Sequence, residues 1–333
     1  MKFEFYCSRA KKYSVLLVAV CALCAPAAWA WNNVGHRAVA ELAWRRLDAS
    51  QRKAASDLLK QHPHYQQLLL KEYPGGVSKD EWAFLMAAIW PDRIRPPKHG
   101  GPEKPLSITK YDLYPHALGL PIIWPEDTTR VTLAKFHIRH PNAAEALSNC
   151  VVCLQDTAAP AADRAVSLCW VLHLIGDLHQ PLHDANVVSP RKPAGEGLGG
   201  AYIVCVPGGE RENLHVFWDA LPGTEPTYRS ISRVADEIEK DPALQRANLK
   251  EYKVDKSIES WVREGRDVVE SFAYSPKHVK FARESDLKSG KISRREVPQL
   301  TADYVREARE IAMRRLALAS WRLSDVLNDT WKE

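Results

Sequence analysis

Apolar and polar positions along the chain recur chiefly at helical spacing. Between Arg37 and Leu47 the apolar residues Val39, Leu42, Ala43 and Leu47 fall on one face, as in an amphipathic helix. Residues 50–60, 77–90, 143–154, 161–179, 228–239, 255–272 and 300–328 also read as helices, and Arg306 to Leu323 reads as a core-packing helix with its basic residues in solvent. The one convincing strand is Ala201-Tyr-Ile-Val-Cys-Val206. Prolines and glycines crowd residues 91–125 and 185–209, which predicts irregular excursions there. The first excursion carries Tyr111, Tyr114 and Trp124, aromatics that either line a groove or anchor the loop. No internal repeat is present, and the pattern predicts a mainly helical protein.

The N-terminus follows a different pattern. Lys2, Arg9, Lys11 and Lys12 precede the apolar run Ser14 to Ala25, and Ala28-Trp29-Ala30 is a small-x-small cleavage pattern. This is the layout of a secretory signal peptide over residues 1–30, cleaved after Ala30, with a periplasmic or secreted single domain over residues 31–333 as the product. The apolar run is short for a membrane span and no later stretch reaches the roughly 20 residues needed, so no stable membrane insertion is expected. Cys21 and Cys24 follow bulky residues, which disfavours a lipoprotein.

Charge and cysteines narrow the picture further. Losing residues 1–30 removes four basic residues and one acidic residue, lowering the formal charge from +5 to about +2. Capture of nucleic acid by a basic face is therefore not indicated. Cys150, Cys153, Cys169 and Cys205 stay in the mature chain, an even number suited to up to two disulfides in an oxidising compartment. Cys150-Val-Val-Cys153 also has the spacing of a redox or zinc pair, although no second such pair accompanies it.

The chemistry is concentrated in Trp170-Val-Leu-His-Leu-Ile-Gly-Asp-Leu-His-Gln-Pro-Leu-His-Asp184. His173 and Asp177 are four residues apart and share a helix face, so they can hold one metal ion. Such pairs are often hydrogen-bonded surface pairs, but Val171, Leu172, Leu174 and Ile175 point this one into a core, where unpaired polar groups are costly. Pro181 ends the helix near 178–180 and brings His183 in from just past that end. His179 and Asp184 either hold ligands in orientation or lie on a solvated surface. Asn213-Leu-His-Val-Phe-Trp-Asp219 repeats the spacing with His215 and Asp219. His36, Asp92 in an exposed turn after Pro91, His137 and a free amine at Trp31 complete the candidates. Imidazole and carboxylate without thiolate suit catalytic Zn²⁺. Their number exceeds one tetrahedral ion, and sites with several metals fit phosphoester hydrolysis.

Trp31, the W-x-x-x-G-H run ending at His36, W-x-D at Asp92, F-H at His137, H-L-I-G-D-x-x-Q-P-L-H over 173–183 and N-L-H-x-x-W-D over 213–219 occur in that order. The chain thereby resembles the trinuclear zinc family that joins single-strand-specific nucleases to bacterial phospholipases C. The resemblance implies an all-α fold with a trinuclear zinc cleft and at most a small β-hairpin. It also implies that Asp92, His137, His173 and Asp177 bind one zinc, that His183, His215 and Asp219 bind a second, and that His36, the backbone of Trp31 and a bridging Asp177 bind a third. Water held between the metals would attack phosphorus, with Asp177 among the catalytic groups. The family carries Asp or Asn three residues after the ligand histidine of its F-H motif, which puts His140 in a catalytic position here, and the family's G-D-x-G-G-N becomes Gly197-Leu-Gly-Gly-Ala201. His215-x-x-x-Asp219 follows the nuclease form, so the implied substrate is single-stranded DNA or RNA or a 3′-nucleotide, with no protein partner. The alternatives are a phospholipase C on the same fold and a non-catalytic zinc-binding protein.

Overall fold

The helical segments pair off by packing their apolar faces. The computed structural model describes residues 31–96, 103–123, 140–188 and 202–332. The proposed signal peptide, Trp124, His137 and Ala201 lie outside the described residues. Helices α1 (Asn33–Arg46), α2 (Ala49–Leu59) and α3 (Lys79–Ala87) come first, followed by short α4 (Trp90–Ile94) and α5 (Leu106–Thr109). After strand β1 (Leu120–Ile123), helices α6 (Ala143–Gln155) and α7 (Ala161–Asp177) form a hairpin, then α8 (Pro181–Asp184) runs into β2 (Ala185–Val188). Strands β3 (Tyr202–Cys205) and β4 (Arg211–Asn213) lead to α9 (Leu214–Ala220), α10 (Tyr228–Lys240), α11 (Lys250–Val254) and α12 (Ile258–Val268). Strand β5 (Ala282–Arg283), α13 (Glu284–Lys288) and the 29-residue α14 (Ala302–Thr330) close the chain.

Side-chain caps fix several of these boundaries. Asp48 and Asn142 form capping boxes at the starts of α2 and α6, and Thr227 and Thr301 cap α10 and α14. Each satisfies backbone N–H groups that the first helical turn leaves without partners. The predicted helix over 77–90 divides at Ala88 and Ile89, and Pro91 occupies the first turn of α4, where its missing N–H costs nothing. Asp92 therefore lies in a buried helix, 1% exposed, and not in an exposed turn.

Two apolar cores result. The larger packs α1 against α14, α10, α3 and α7, with Trp31, Trp44, Phe84, Trp90 and Trp170 inside it. The smaller gathers Leu182, Tyr202, Leu214, Trp218, Phe272 and Tyr304 around the strands and α9. Among the described residues two small sheets, the parallel pair β1–β2 and the antiparallel order β4-β3-β5, replace the single hairpin expected. The fold is mainly α-helical as predicted, and among the described residues no helix is long and apolar enough to cross a membrane.

The expected disulfides do not form. Cys150, Cys153, Cys169 and Cys205 are all free thiols. Cys150 and Cys153 sit three residues apart on the rigid helix α6, Cys169 is in the middle of α7, and Cys205 belongs to β3. Burial pushes the Cys150 thiol up to about 12, a poor setting for thiolate chemistry.

Candidate metal centre

Helix α7 delivers the central donors. His173 and Asp177 lie on its last turns, both fully buried, with His173 Nε2 3.3 Å from Asp177 Oδ2. His173 donates from Nδ1 to the Ala88 carbonyl (2.8 Å), which leaves Nε2 as the lone-pair nitrogen facing the site. The helix stops at Asp177. Pro181 then opens α8, so His183 enters from beyond the helix end as the sequence predicts.

Helix α1 supplies the next donor. Asn32 caps α1 through Oδ1, while its N–H donates to the Asp219 carbonyl (3.1 Å) and its amide to the Gly223 carbonyl. The start of α1 is thereby tied to the end of α9. His36 Nε2 stands 3.3 Å from Asp177 Oδ1, and the His36 ring stacks on His173 with centroids 4.1 Å apart. Trp31 is fully buried beside Gly35, where an added Cβ would come 2.7 Å from Trp31 Cβ. Gly176 plays the same part for His36: a Cβ there would meet Nδ1 at 2.6 Å and Cε1 at 2.9 Å. His36 cannot swing aside while stacked on His173. Gly176→Ala is therefore expected to cost ~1–3 kcal/mol of stability through overpacking and to weaken metal binding at His36. Thermal melts and zinc titrations of the variant check this.

Helix α9 carries His215 and Asp219 on one face, with the Asn213 side chain capping its start. His215 Nε2 is 3.6 Å from Asp219 Oδ2 and 2.9 Å from His183 Nε2. His183 donates from Nδ1 to the His116 carbonyl (2.8 Å), so its Nε2 presents a lone pair to His215. Gln180 donates to Asp219 Oδ1 and accepts from Leu182 N, bracing α9 against the start of α8.

One donor was missed by sequence reasoning. His116 is buried, with Nδ1 2.7 Å from His173 Nε2, 3.3 Å from Asp177 Oδ2 and 3.6 Å from Asp92 Oδ1. The parallel pairing Leu120↔Ala185 brings it there, and the His183 carbonyl accepts from Leu118 N and Gly119 N. No local periodicity announces a pairing between segments so far apart. The nearest signal is the short apolar run Leu120–Ile123 that follows Pro115-His-Ala-Leu-Gly119. His116 groups with Asp92 and His173, while His137, expected beside them, lies outside the described residues. His116→Ala is accordingly expected to weaken metal binding at the group that contains Asp92 and His173, and zinc titrations of the variant check this.

His140 is not part of the centre. Its side chain is 68% exposed at the start of α6 and pairs with Glu145 at 2.9 Å. The third residue after His116 is Gly119, at φ 65°, which offers no side chain. Tyr111 packs on His64 and Trp90, and Tyr114 packs edge-on against Trp170, so both anchor the excursion. His179 and Asp184 are fully buried and not solvated.

The described donors fall into three groups whose ligand atoms lie within 4.8 Å of one another: His36, His173 and Asp177; Asp92, His116 and His173; and His183, His215 and Asp219. His173 belongs to two groups, and the Asp177 carboxylate lies within 3.3 Å of donors from both. Burial lowers His36, His173 and His183 to about 3, so these imidazoles are neutral, as a metal ligand requires. Burial raises Asp92 to about 8, despite nearby Arg95, and Asp177 to about 7, despite His173. Asp219 is also pushed well above the usual carboxylate range by burial. Neither Asp177 oxygen nor His36 nitrogen makes a hydrogen bond although all are buried. Buried carboxylate and imidazole groups left without hydrogen-bond partners, as at Asp177 and His36, are unfavourable alone and favourable around divalent cations. The nitrogen and oxygen donors, without sulfur, fit zinc.

A family model described as S1/P1 nuclease matches residues 31–332. Nuclease S1 of Aspergillus oryzae (strain ATCC 42149 / RIB 40) is 25% identical over 204 residues, which cover 57% of this chain and 54% of that protein. The chain thus aligns with only about half the length of this curated relative.

Proposed function

Because the chain belongs to the S1/P1 nuclease family, we propose that it is an exported zinc-dependent phosphodiesterase that hydrolyses single-stranded nucleic acid or 3′-nucleotides. The observation that carries this is the fusion of three buried imidazole-carboxylate groups through His173 and Asp177. Asp92, His116, His173 and Asp177 would hold one zinc, His183, His215 and Asp219 a second, and His36 with Asp177 and the Trp31 backbone a third. When bound, the ions supply a water of lowered pKa and positive charge to offset that on the phosphoryl oxygens.

The chain's own residues do the rest. Asp177 faces His36 with one oxygen and His116 and His173 with the other, so a single carboxylate sets the spacing of two groups. Gln180 fixes the rotamer of Asp219, and the Ala88 and His116 carbonyls fix the tautomers of His173 and His183. Arg95, 27% exposed and 3.4 Å from Asp92 Oδ1, is a cation that would receive a substrate phosphate as the phosphoester nears the buried donors. Lys104 holds Arg95 in place by donating to the Arg93 and Arg95 carbonyls, both at 2.7 Å. A flexible single strand can bend a phosphate toward donors this deeply buried, and a stacked duplex resists doing so.

Hydrolysis of single-stranded DNA, RNA, duplex DNA, a 3′-nucleotide and phosphatidylcholine, measured side by side at fixed zinc and salt, tests the proposal. Single strands or the 3′-nucleotide should be cleaved fastest. Preferential cleavage of the lipid would assign the chain to phospholipase chemistry, and no turnover of any phosphoester would leave a zinc-binding protein without catalysis.

A further inference from the structure

We propose that Arg315 is a positioning residue for the metal centre, acting through the backbone that carries Asp177 and His183. This rests on the assignment of those two residues as zinc ligands. Arg315 lies in mid-α14 and is 3% exposed, although the sequence pattern placed the basic residues of this helix in solvent. Its guanidinium donates to the carbonyls of Leu178 (3.2 Å), His179 (3.1 Å) and Trp261 (3.0 Å), and to Glu264 Oε2 (2.6 Å). Leu178 and His179 follow Asp177 directly, so their carbonyls are among those that the end of α7 leaves without helical partners. A buried cation at that C-terminus also matches the helix dipole.

The surrounding groups make this a fixed plate and not a loose contact. Glu264 also takes a bidentate bond from Arg322, at 2.6 and 2.8 Å. Arg322 donates to His179 Nε2 (2.8 Å), whose Nδ1 in turn donates to the Ile175 carbonyl within α7 (2.7 Å). Asp184, which follows His183, is fully buried with its carboxylate 3.9 Å from Arg315. It lies so close to α12 that a Cβ on Gly265 would come 1.7 Å from Asp184 Oδ2. The plate therefore grips both ends of the segment 177–184. The planar fork of Arg315 reaches carbonyls just past the end of α7 and one on α12 together, which a single ammonium cannot do.

The test compares zinc affinity, by competition with a chromophoric chelator, and the absorption spectrum of the cobalt-loaded protein. Arg315→Met should weaken zinc binding roughly 10–100-fold, the usual effect of removing a group that orients metal ligands, and alter the cobalt spectrum. Arg315→Lys keeps the cation beside Glu264 and so guards against loss of the fold. It should still weaken zinc binding, because the fork is gone. Gly265→Ala should do the same by displacing Asp184 with every charge retained. Met313→Ala, a core truncation on the same helix, should lower the melting temperature and leave zinc affinity and the cobalt spectrum unchanged. Wild-type affinity and spectrum in folded Arg315→Lys and Gly265→Ala would overturn the proposal. A wild-type protein that binds no zinc would instead contradict the metal assignment on which it rests.

Discussion

Replacing Asp177 by Asn is expected to reduce phosphodiester hydrolysis by at least ~10³-fold, about 4 kcal/mol of activation free energy at ~1.4 kcal/mol per decade. The substitution keeps the volume of the side chain and removes its charge. Both Asp177 oxygens are buried and face imidazoles of different donor groups at 3.3 Å. An amide presents one oxygen and one NH₂, so it can serve one group while turning a donor toward the imidazole lone pairs of the other. Two metal positions should weaken together. Steady-state rates on single-stranded DNA, with zinc content measured on the same sample, check this, and a variant that keeps near wild-type rate would remove Asp177 from the chemistry.

The second large effect is a steep pH dependence of zinc affinity, arising from carboxylates and not imidazoles. In the metal-free protein burial holds Asp92 at about 8 and Asp177 at about 7, so both carry protons in weak acid. Zinc needs them ionised, and Asp219 with them, so binding expels protons from these carboxylates in weak acid and progressively fewer as the pH rises through 7 and 8. Affinity rises with pH over the same range. Between pH 5 and pH 7 the rise should be steep, because both carboxylates are raised into or above that range by burial. His36, His173 and His183 stay neutral down to about 3 in the folded state and do not compete over that range. Calorimetry in buffers of different ionisation enthalpy counts the protons directly. Zinc affinity that does not change between pH 5 and pH 8, with no protons released on binding, would contradict the assignment.

What the sequence disclosed followed from local rules. His173 with Asp177, and His215 with Asp219, were legible because helical spacing puts residues four apart on one face, and the apolar neighbours said which way that face points. Pro181 announced the break that brings in His183. Long-range placement was not legible. His116 reaches the donors through the β1–β2 pairing and the hydrogen bonds of Leu118 and Gly119 to His183, and His140 at the start of α6 instead faces solvent and Glu145. Pro91 suggested an exposed turn at Asp92, yet a proline in a first helical turn is equally compatible with the buried helix α4. Arg315 and Arg322 looked like surface charges because their partners, Glu264 and the last carbonyls of α7, come from elsewhere in the chain. An even cysteine count predicted disulfides, but three of the four thiols are held on α6 and α7 and the fourth on β3.

The central claim is that the three buried donor groups are three zinc positions. Elemental analysis of the protein beginning at Trp31, loaded with zinc above pH 8 and dialysed against metal-free buffer, tests it most directly. Close to three zinc ions per chain are expected, in line with the three groups. One ion per chain, or none, would contradict it.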